Sequence, residues 1–471
     1  MRKTRLPAVA GAIVLLCLAA AVAVAAPQRP RLPVVVDPAP AGWWKPPADV
    51  RTMLRQIGAS NLERYDRTLV GFGTRHTLST QTDPQRGIGA ARDWIRSELE
   101  KSAATSDGRM TVELQSYVQQ PADRIPVATR ITNVVATLKG TDPTAADRVY
   151  VVGAHYDSRR TDVLDGEGDA PGADDDGSGV SAVLELARVM APHPTEATIV
   201  FVAFAGEEQG LYGSTHFAEL AAQQHWNIQG VLNMDIIGSP LGGNGVSTPH
   251  KIRIFSEGVP TSETPEETAR RQSIGGENDG RSRQLARFVK ETGEIRETGM
   301  GVKLVWRRDR FLRGGDQIPF LENGWSAVRF TEPNENFDHQ HQDVRVEDGK
   351  QFGDLPEFVD FRYLARVTRV VGSSLAALAR GPRAPVNAQI ETSQLSYDTE
   401  LRWAPNPEAD IAGYEIVWRD STEPFWTHAR QVGNVTDATI AGLNKDDNQF
   451  GVRAIDREGN RSPVAYPLPE E

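Results

Sequence analysis

Five acidic or imidazole positions stand where chemistry could happen. His155 closes an apolar run in Val152-Gly153-Ala154-His155-Tyr156-Asp157, and Glu207 and Glu208 follow a second run that ends at Ala205. Asp235 ends a third run, Leu232-Asn233-Met234-Asp235, and Asp174 opens the acidic loop Asp174-Asp175-Asp176 between the first two. Taken singly, His155 reads as a strand-end histidine, the three aspartates as a helix cap and the glutamate pair as a surface turn. Taken together, one imidazole and several carboxylates cannot share a crevice without a cation. Nitrogen and oxygen donors without sulfur suit Zn²⁺, Co²⁺ or Mn²⁺. Two such ions about 3.5–4 Å apart could hold one hydroxide between them and polarise a carbonyl. Asp174, the first acid of its loop, is the residue placed to bridge. One of Glu207 and Glu208 could bind metal while the other takes a proton from the bridging water. Asp157 is spaced to accept a hydrogen bond from the imidazole nitrogen of His155 that faces away from the metal.

The elements that must position these residues are legible around them. Residues 148–153, 197–205 and 230–237 are continuous apolar runs of the kind found in strands covered on both faces. Helical patterns at 179–190 and 214–224 separate them, which predicts βαβ units and a mixed, mostly parallel sheet flanked by helices. In such sheets the carboxyl ends of the strands form the site. Helical periodicity also occurs at 50–57 and 88–99, and helix 282–290, strand 326–331 and helix 358–378 complete the domain. Residues 239–280, rich in Gly, Ser and Glu, read as a long insertion over one edge.

The segments GAHYDS (153–158), PGADDDGSGV (171–180), FVAFAGEEQGLYGS (201–214) and NMDIIG (233–238) together resemble those of the zinc aminopeptidases of family M28. The resemblance spans roughly residues 50–380. It implies a dizinc peptidase in which Asp174 bridges, His155 and Asp235 complete one site, and Glu208 with a late histidine completes the other. Glu207 matches the family's general base. His339, followed by Asp343 four residues on, has the spacing of the family's last ligand, and His341 is the alternative. A cis peptide is implied between Asp174 and Asp175. Gly315-Asp316-Gln317 resembles a late family loop that borders the pocket, which makes Asp316 either a pocket residue or part of a turn. The activity implied is removal of N-terminal amino acids from peptides or proteins. A glutaminyl cyclase and a carboxypeptidase on the same fold are the chemical rivals. For the second, the basic cluster Arg307, Arg308, Arg310 and Arg313 could hold a substrate carboxylate, or could be a solvated face. A non-catalytic adhesion protein is the rival from another class, and the intact Glu207 argues against it.

The 471 residues are enough for two or three domains. Lys and Arg number 52 against 63 Asp and Glu, a net charge of −11, which disfavours binding to nucleic acid. Residues 1–25 have a basic head (Arg2, Lys3, Arg5), an apolar run and the A-x-A motif Ala23-Val24-Ala25, the layout of a signal peptide. Cleavage would make the net charge −14, discard the single cysteine, Cys17, and leave an exported protein, secreted or periplasmic, without stable membrane insertion. The predicted peptidase domain is 43–381. Beyond the Gly- and Pro-containing linker at 381–385, alternating short strands predict an all-β sandwich over 383–468. This region resembles a fibronectin type III module, with Trp403 in its core and Phe450 where the module usually has a tyrosine. It carries no catalytic chemistry and could contact a surface, a polymer or a partner.

Overall fold

The computed structural model describes residues 44–393 and 395–469, so the signal-peptide segment lies outside the described residues. Three helices come first: α1 (Ala48–Gln56), α2 (Ala59–Gly71) and α3 (Gly87–Ala103). Then follow β1 (Met110–Gln119), β2 (Thr129–Leu138), β3 (Arg148–His155), α4 (Gly179–Met190), β4 (Thr198–Phe204), α5 (Tyr212–Gln223) and β5 (Asn227–Met234). The chain continues through β6 (Lys251–Ser256), α6 (Pro265–Ser273), α7 (Arg281–Gly293), β7 (Gly301–Val305), α8 (Ile318–Glu322) and β8 (Ala327–Thr331). A small hairpin of β9 (Arg345–Glu347) and β10 (Lys350–Phe352) precedes the long helix α9 (Phe361–Arg380).

Eight strands form one mixed sheet in the order β1-β2-β4-β3-β5-β8-β6-β7. Its centre, β4-β3-β5-β8, is parallel throughout, while β1, β2 and β6 join through antiparallel pairings. Period-two alternation sorts the continuous apolar runs onto two cores. In β4, Ile199, Phe201 and Ala203 face the layer built with α1–α4, α7 and α9, whereas Val200, Val202 and Phe204 face Phe217 and Phe320 of α5 and α8. Burial on both faces is why these strands contain no polar alternation.

The stretch 239–280 is more than a covering loop. Its Lys-Ile-Arg-Ile-Phe-Ser segment alternates, and as β6 it enters the sheet between β8 and β7. Helix α6 in the same stretch starts at a capping box, with Thr264 and Glu267 each accepting the other's backbone N–H.

Beyond α9, seven short strands form two small sheets: β11 (Gln389–Ile390), β12 (Thr399–Arg402), β15 (Asp437–Ile440) and β17 (Leu468–Pro469) in one, and β13 (Ile411–Asp420), β14 (His428–Gly433) and β16 (Asn448–Asp456) in the other. Trp403 is buried between them against Tyr414, ring centroids 5.3 Å apart, with Phe450 in the same core. This unit is locked to α7 by charge. Asp279 accepts from Arg287 of α7 at 2.9 Å and from Arg419 of β13 at 2.7 Å, and Trp426 Nε1 donates to Gln284 Oε1. No helix among the described residues is long and apolar enough to cross a membrane.

Candidate metal centre

Parallel pairing carries the ends of β3, β4 and β5 to one edge of the sheet, with His155 opposite Phe204 and Gly153 opposite Asn233. His155, the last residue of β3, is therefore beside the turn that follows β4, and that turn presents Glu207 and Glu208. Asp235 follows β5 directly. Donor atoms of His155, Glu207 and Asp235 all lie within 4.8 Å of one another, and so do those of Asp175, Glu208 and His341. Asp175 joins the two groups: its Oδ1 is 3.2 Å from His155 Nε2 and its Oδ2 is 2.9 Å from His341 Nε2. His155 Nε2 lies 3.8 Å from Asp235 Oδ2, and His341 Nε2 lies 3.0 Å from Glu208 Oε1.

Three of the sequence expectations differ from the structure. Asp175, not Asp174, stands between the histidines. The backbone N–H groups of Asp174 and Asp175 both donate to the Asp354 carboxylate, and Asp174 Oδ1 is turned away to accept from Gly238 N at 2.7 Å. Asp176 points elsewhere again, accepting from His155 N, Gly179 N and Ile236 N, so it pins the strand ends to the start of α4. Gly179 is required there, since a Cβ would come within 2.5 Å of Asp176 Oδ1. The cis peptide joins Asp175 to Asp176 rather than Asp174 to Asp175. The late histidine that stands beside Asp175 and Glu208 is His341, the alternative, and not His339. His339 stacks on Phe358 with centroids 3.6 Å apart, and Asp343 takes Arg160 Nε at 2.7 Å instead of supporting a ligand.

Asp157 acts on both sides of the cluster. Its backbone carbonyl, not its carboxylate, accepts from His155 Nδ1 at 3.0 Å, which leaves Nε2 facing the other donors. Its buried carboxylate accepts from Glu207 N and Glu208 N, each at 3.2 Å, and from Thr77 Oγ1 at 3.0 Å. Asp316 is 1% exposed, and neither of its oxygens makes a hydrogen bond. The adjacent Ser214 hydroxyl donates to Leu211 O instead. Two arginines complete the site without having been read from the sequence. Arg329, fully buried on β8, brings Nη2 within 2.8 Å of Asp235 Oδ1, and Arg159 brings Nη2 within 2.9 Å of His341 Nδ1. Neither lies in a motif, so only the fold could reveal them.

The electrostatics of the protein alone are those of a site short of positive charge. Burial pushes the Glu207 carboxyl well above its usual range, Asp235, Glu208 and Asp316 add to this, and His155 opposes it. Burial alone would lower His155, but Glu207, Asp175 and Asp235 outweigh it and hold the imidazole well above its ordinary value. His341 follows the same pattern: Glu208 and Asp175 overcome burial and hold it up to about 10. Burial raises Asp316 to about 7.

A divalent ion fits this arrangement. Ligands about 2.0–2.1 Å from a tetrahedral zinc lie about 3.3–3.4 Å from one another. The separations of 3.2 and 3.8 Å about His155 Nε2 bracket that value, and those of 2.9 and 3.0 Å about His341 Nε2 are somewhat shorter, at hydrogen-bond length. Glu208 Oε1 is buried without a hydrogen bond of good geometry, which leaves it lone pairs to give, and Asp235 turns Oδ2 toward His155 while Oδ1 faces Arg329.

A mixed sheet with oxygen and nitrogen donors gathered at its strand ends, and one carboxylate shared between two groups of them, defines an α/β domain of the metallopeptidase kind. The chain belongs to peptidase family M28. The family's model matches residues 133–348. A probable zinc metalloprotease of Leptosphaeria maculans is 49% identical over 424 residues, covering 90% of this chain and 98% of that one. One of Pyricularia oryzae is 52% identical over 431 residues, covering 90% and 85%. The solved LapA aminopeptidase of Legionella pneumophila aligns at 18% identity over 70% of this chain and 74% of its own, with a TM-score of 0.49.

Proposed function

We propose that the protein is an exported two-zinc peptidase that removes N-terminal residues from peptides. The observation that carries this reading is Asp175, whose two oxygens face His155 and His341 on opposite sides. His155, Asp175 and Asp235 would hold one zinc, and Asp175, Glu208 and His341 the other. Zinc, when bound, supplies Lewis acidity toward a scissile carbonyl and lowers the pKa of water.

The chain's own residues do the rest. Glu207 is left over from the ligand set and has a carboxylate oxygen within 4.8 Å of the His155 and Asp235 donors, room for one water between them, so its carboxylate takes a proton from the attacking water and delivers it to the leaving nitrogen. Asp157 holds the Glu207 and Glu208 amides and thereby fixes which carboxylate faces which neighbour. Asp316, buried with no hydrogen bond of good geometry and only the Ser214 hydroxyl nearby, offers an acceptor for the substrate's free ammonium group. That favours the amino end of a peptide over its carboxyl end.

Export rests on the basic head, apolar run and A-x-A site of residues 1–25. Peptidase and C-terminal domains of 43–381 and 383–468 follow from the change of composition at the linker. A fibronectin type III reading of the second is supported by its two sheets and by Trp403 in its core. Such a module offers a surface for a polymer or partner. The test of function is Glu207→Gln, assayed on aminoacyl chromogenic amides. It should abolish turnover while sparing zinc content, and undiminished turnover would refute the role of Glu207. Cyclisation of N-terminal glutamine by the wild type, without amide hydrolysis, would refute the peptidase reading.

A further inference from the structure

The β6-β7 edge of the sheet carries an open groove of about 890 Å³, lined by none of the metal-centre residues. Its floor is formed by β6 and by β7, the last strand in the sheet order, and its walls by the segments following β7 and β8. The groove is basic although the whole chain carries a net charge of −11. Arg253, Lys303, Arg307, Arg310 and Arg313 line it, against only two acids, Glu335 and Asp338.

Three of those guanidiniums converge on one carboxylate. Arg253 reaches Glu335 Oε1 at 2.9 Å, and Arg310 and Arg313 reach Oε2 at 3.3 and 2.9 Å. Asp338 is occupied by Lys350, from outside the groove. Lys303 and Arg307 have no carboxylate partner among the described residues; Arg307 lies over the Phe311 ring, 5.3 Å from its centroid. Phe311 is 72% exposed and Phe337 64%, so the lining pairs unsatisfied positive charge with uncovered aromatic surface.

The groove is coupled physically to the metal centre. Arg310 Nε pairs with Asp309 at 3.0 Å, Asp309 takes Arg329 Nη1 at 3.3 Å, and Arg329 Nη2 reaches Asp235. Asn336 lines both the groove and the small cavity that contains Asp174, Glu332 and His339. An extended peptide whose first residue sits at the metal centre would need a course for the residues behind it, and the chain Arg310–Asp309–Arg329–Asp235 links this groove to the site.

We propose that the groove seats the part of a peptide substrate beyond the scissile bond and selects segments with acidic side chains. The inference rests on the peptidase reading above. Two carboxylates meeting Lys303 and Arg307 at an exposed surface are expected to raise kcat/KM up to about tenfold.

The test compares Leu-Ala-Glu-Glu-Ala-amide with Leu-Ala-Gln-Gln-Ala-amide, and with the Gln peptide as its free acid, on wild type and on Lys303→Glu/Arg307→Glu. Both side chains are outside the core, and a thermal melt verifies that the variant is folded. Wild type should release leucine from the Glu peptide about tenfold more efficiently than from the Gln amide, and the double variant should lose that ratio. Equal efficiencies in wild type, or a ratio that survives the double variant, would overturn the proposal. A free-acid Gln peptide as good as the Glu peptide would do so as well, by showing that the groove takes a terminal carboxylate. If no peptide is cleaved, the peptidase reading fails, and binding then decides for the groove. Fluorescein-labelled, N-acetylated Glu peptide should bind wild type about tenfold more tightly than the double variant, and equal binding overturns the groove.

Discussion

Asp157→Asn tests how the catalytic carboxylate is held. The Asp157 side chain is fully buried, with Oδ1 accepting from Glu207 N and Oδ2 accepting from Glu208 N and Thr77 Oγ1. Asparagine fills the same space but offers one acceptor oxygen and one donor NH₂. With its oxygen at the Oδ2 position, the Glu207 amide faces an N–H; in the flipped rotamer, the Glu208 amide does. Either way one buried backbone donor loses its partner, at a cost of about 1–3 kcal/mol. The backbone relieves that conflict by shifting the turn that carries both glutamates. If the loss is felt at the reacting atoms, kcat falls about 10- to 100-fold. The substitution also removes a buried negative charge, so the effect on folding is small. The expected result on an aminoacyl chromogenic amide is therefore a kcat lowered by one to two orders of magnitude, with zinc content retained and the melting temperature within a few degrees of wild type. A kcat within twofold of wild type would refute the argument that this carboxylate positions Glu207.

Three further outcomes follow from the geometry. His341→Ala should remove one zinc and nearly all turnover, whereas His339→Ala, which loses only the stacking on Phe358, should retain both; metal analysis and a chromogenic assay separate them, and the reverse pattern would restore His339 as the ligand. Asp279→Ala should cost about 3–5 kcal/mol in denaturant unfolding, because Arg287 and Arg419 would be left buried without their shared carboxylate, and a cost below about 1 kcal/mol would show that this junction is not held by charge. In metal-free protein the His341 imidazole is held up to about 10, above its unfolded value near 6.5, so the stability it contributes is complete below pH 6.5 and lost as pH rises through about 10. Zinc must displace that proton, so calorimetric titration at pH 8 in buffers of different ionisation enthalpy should register at least one proton released per chain; none released would show that His341 is not a ligand.

The sequence read well where side-chain chemistry and element ends coincide. His155, Glu207, Glu208 and Asp235 close or follow apolar runs that had to be strands of a doubly covered sheet, and the structure brings their donors together. It read poorly where direction is set by backbone geometry within one loop. Three consecutive aspartates look alike in a pattern, but their carboxylates diverge: Asp174 toward Gly238, Asp175 toward the histidines, Asp176 toward the backbone of His155 and Gly179. The acceptor that imposes this order, Asp354, is about 180 residues away and has no local signature. The two late histidines are indistinguishable in the pattern for a similar reason, since the four-residue spacing from His339 to Asp343 carries no information once Asp343 pairs with Arg160. Strand β6 was hidden within a polar, Gly-rich stretch, although its own six residues alternate.

The proposed function stands on two metal ions sharing Asp175. Zinc-edge anomalous diffraction from the protein purified with zinc tests it directly. Two peaks per chain are expected, one among His155, Asp175 and Asp235 and one among Asp175, Glu208 and His341. A single peak per chain, or a second peak at Asp174 and His339, would contradict it.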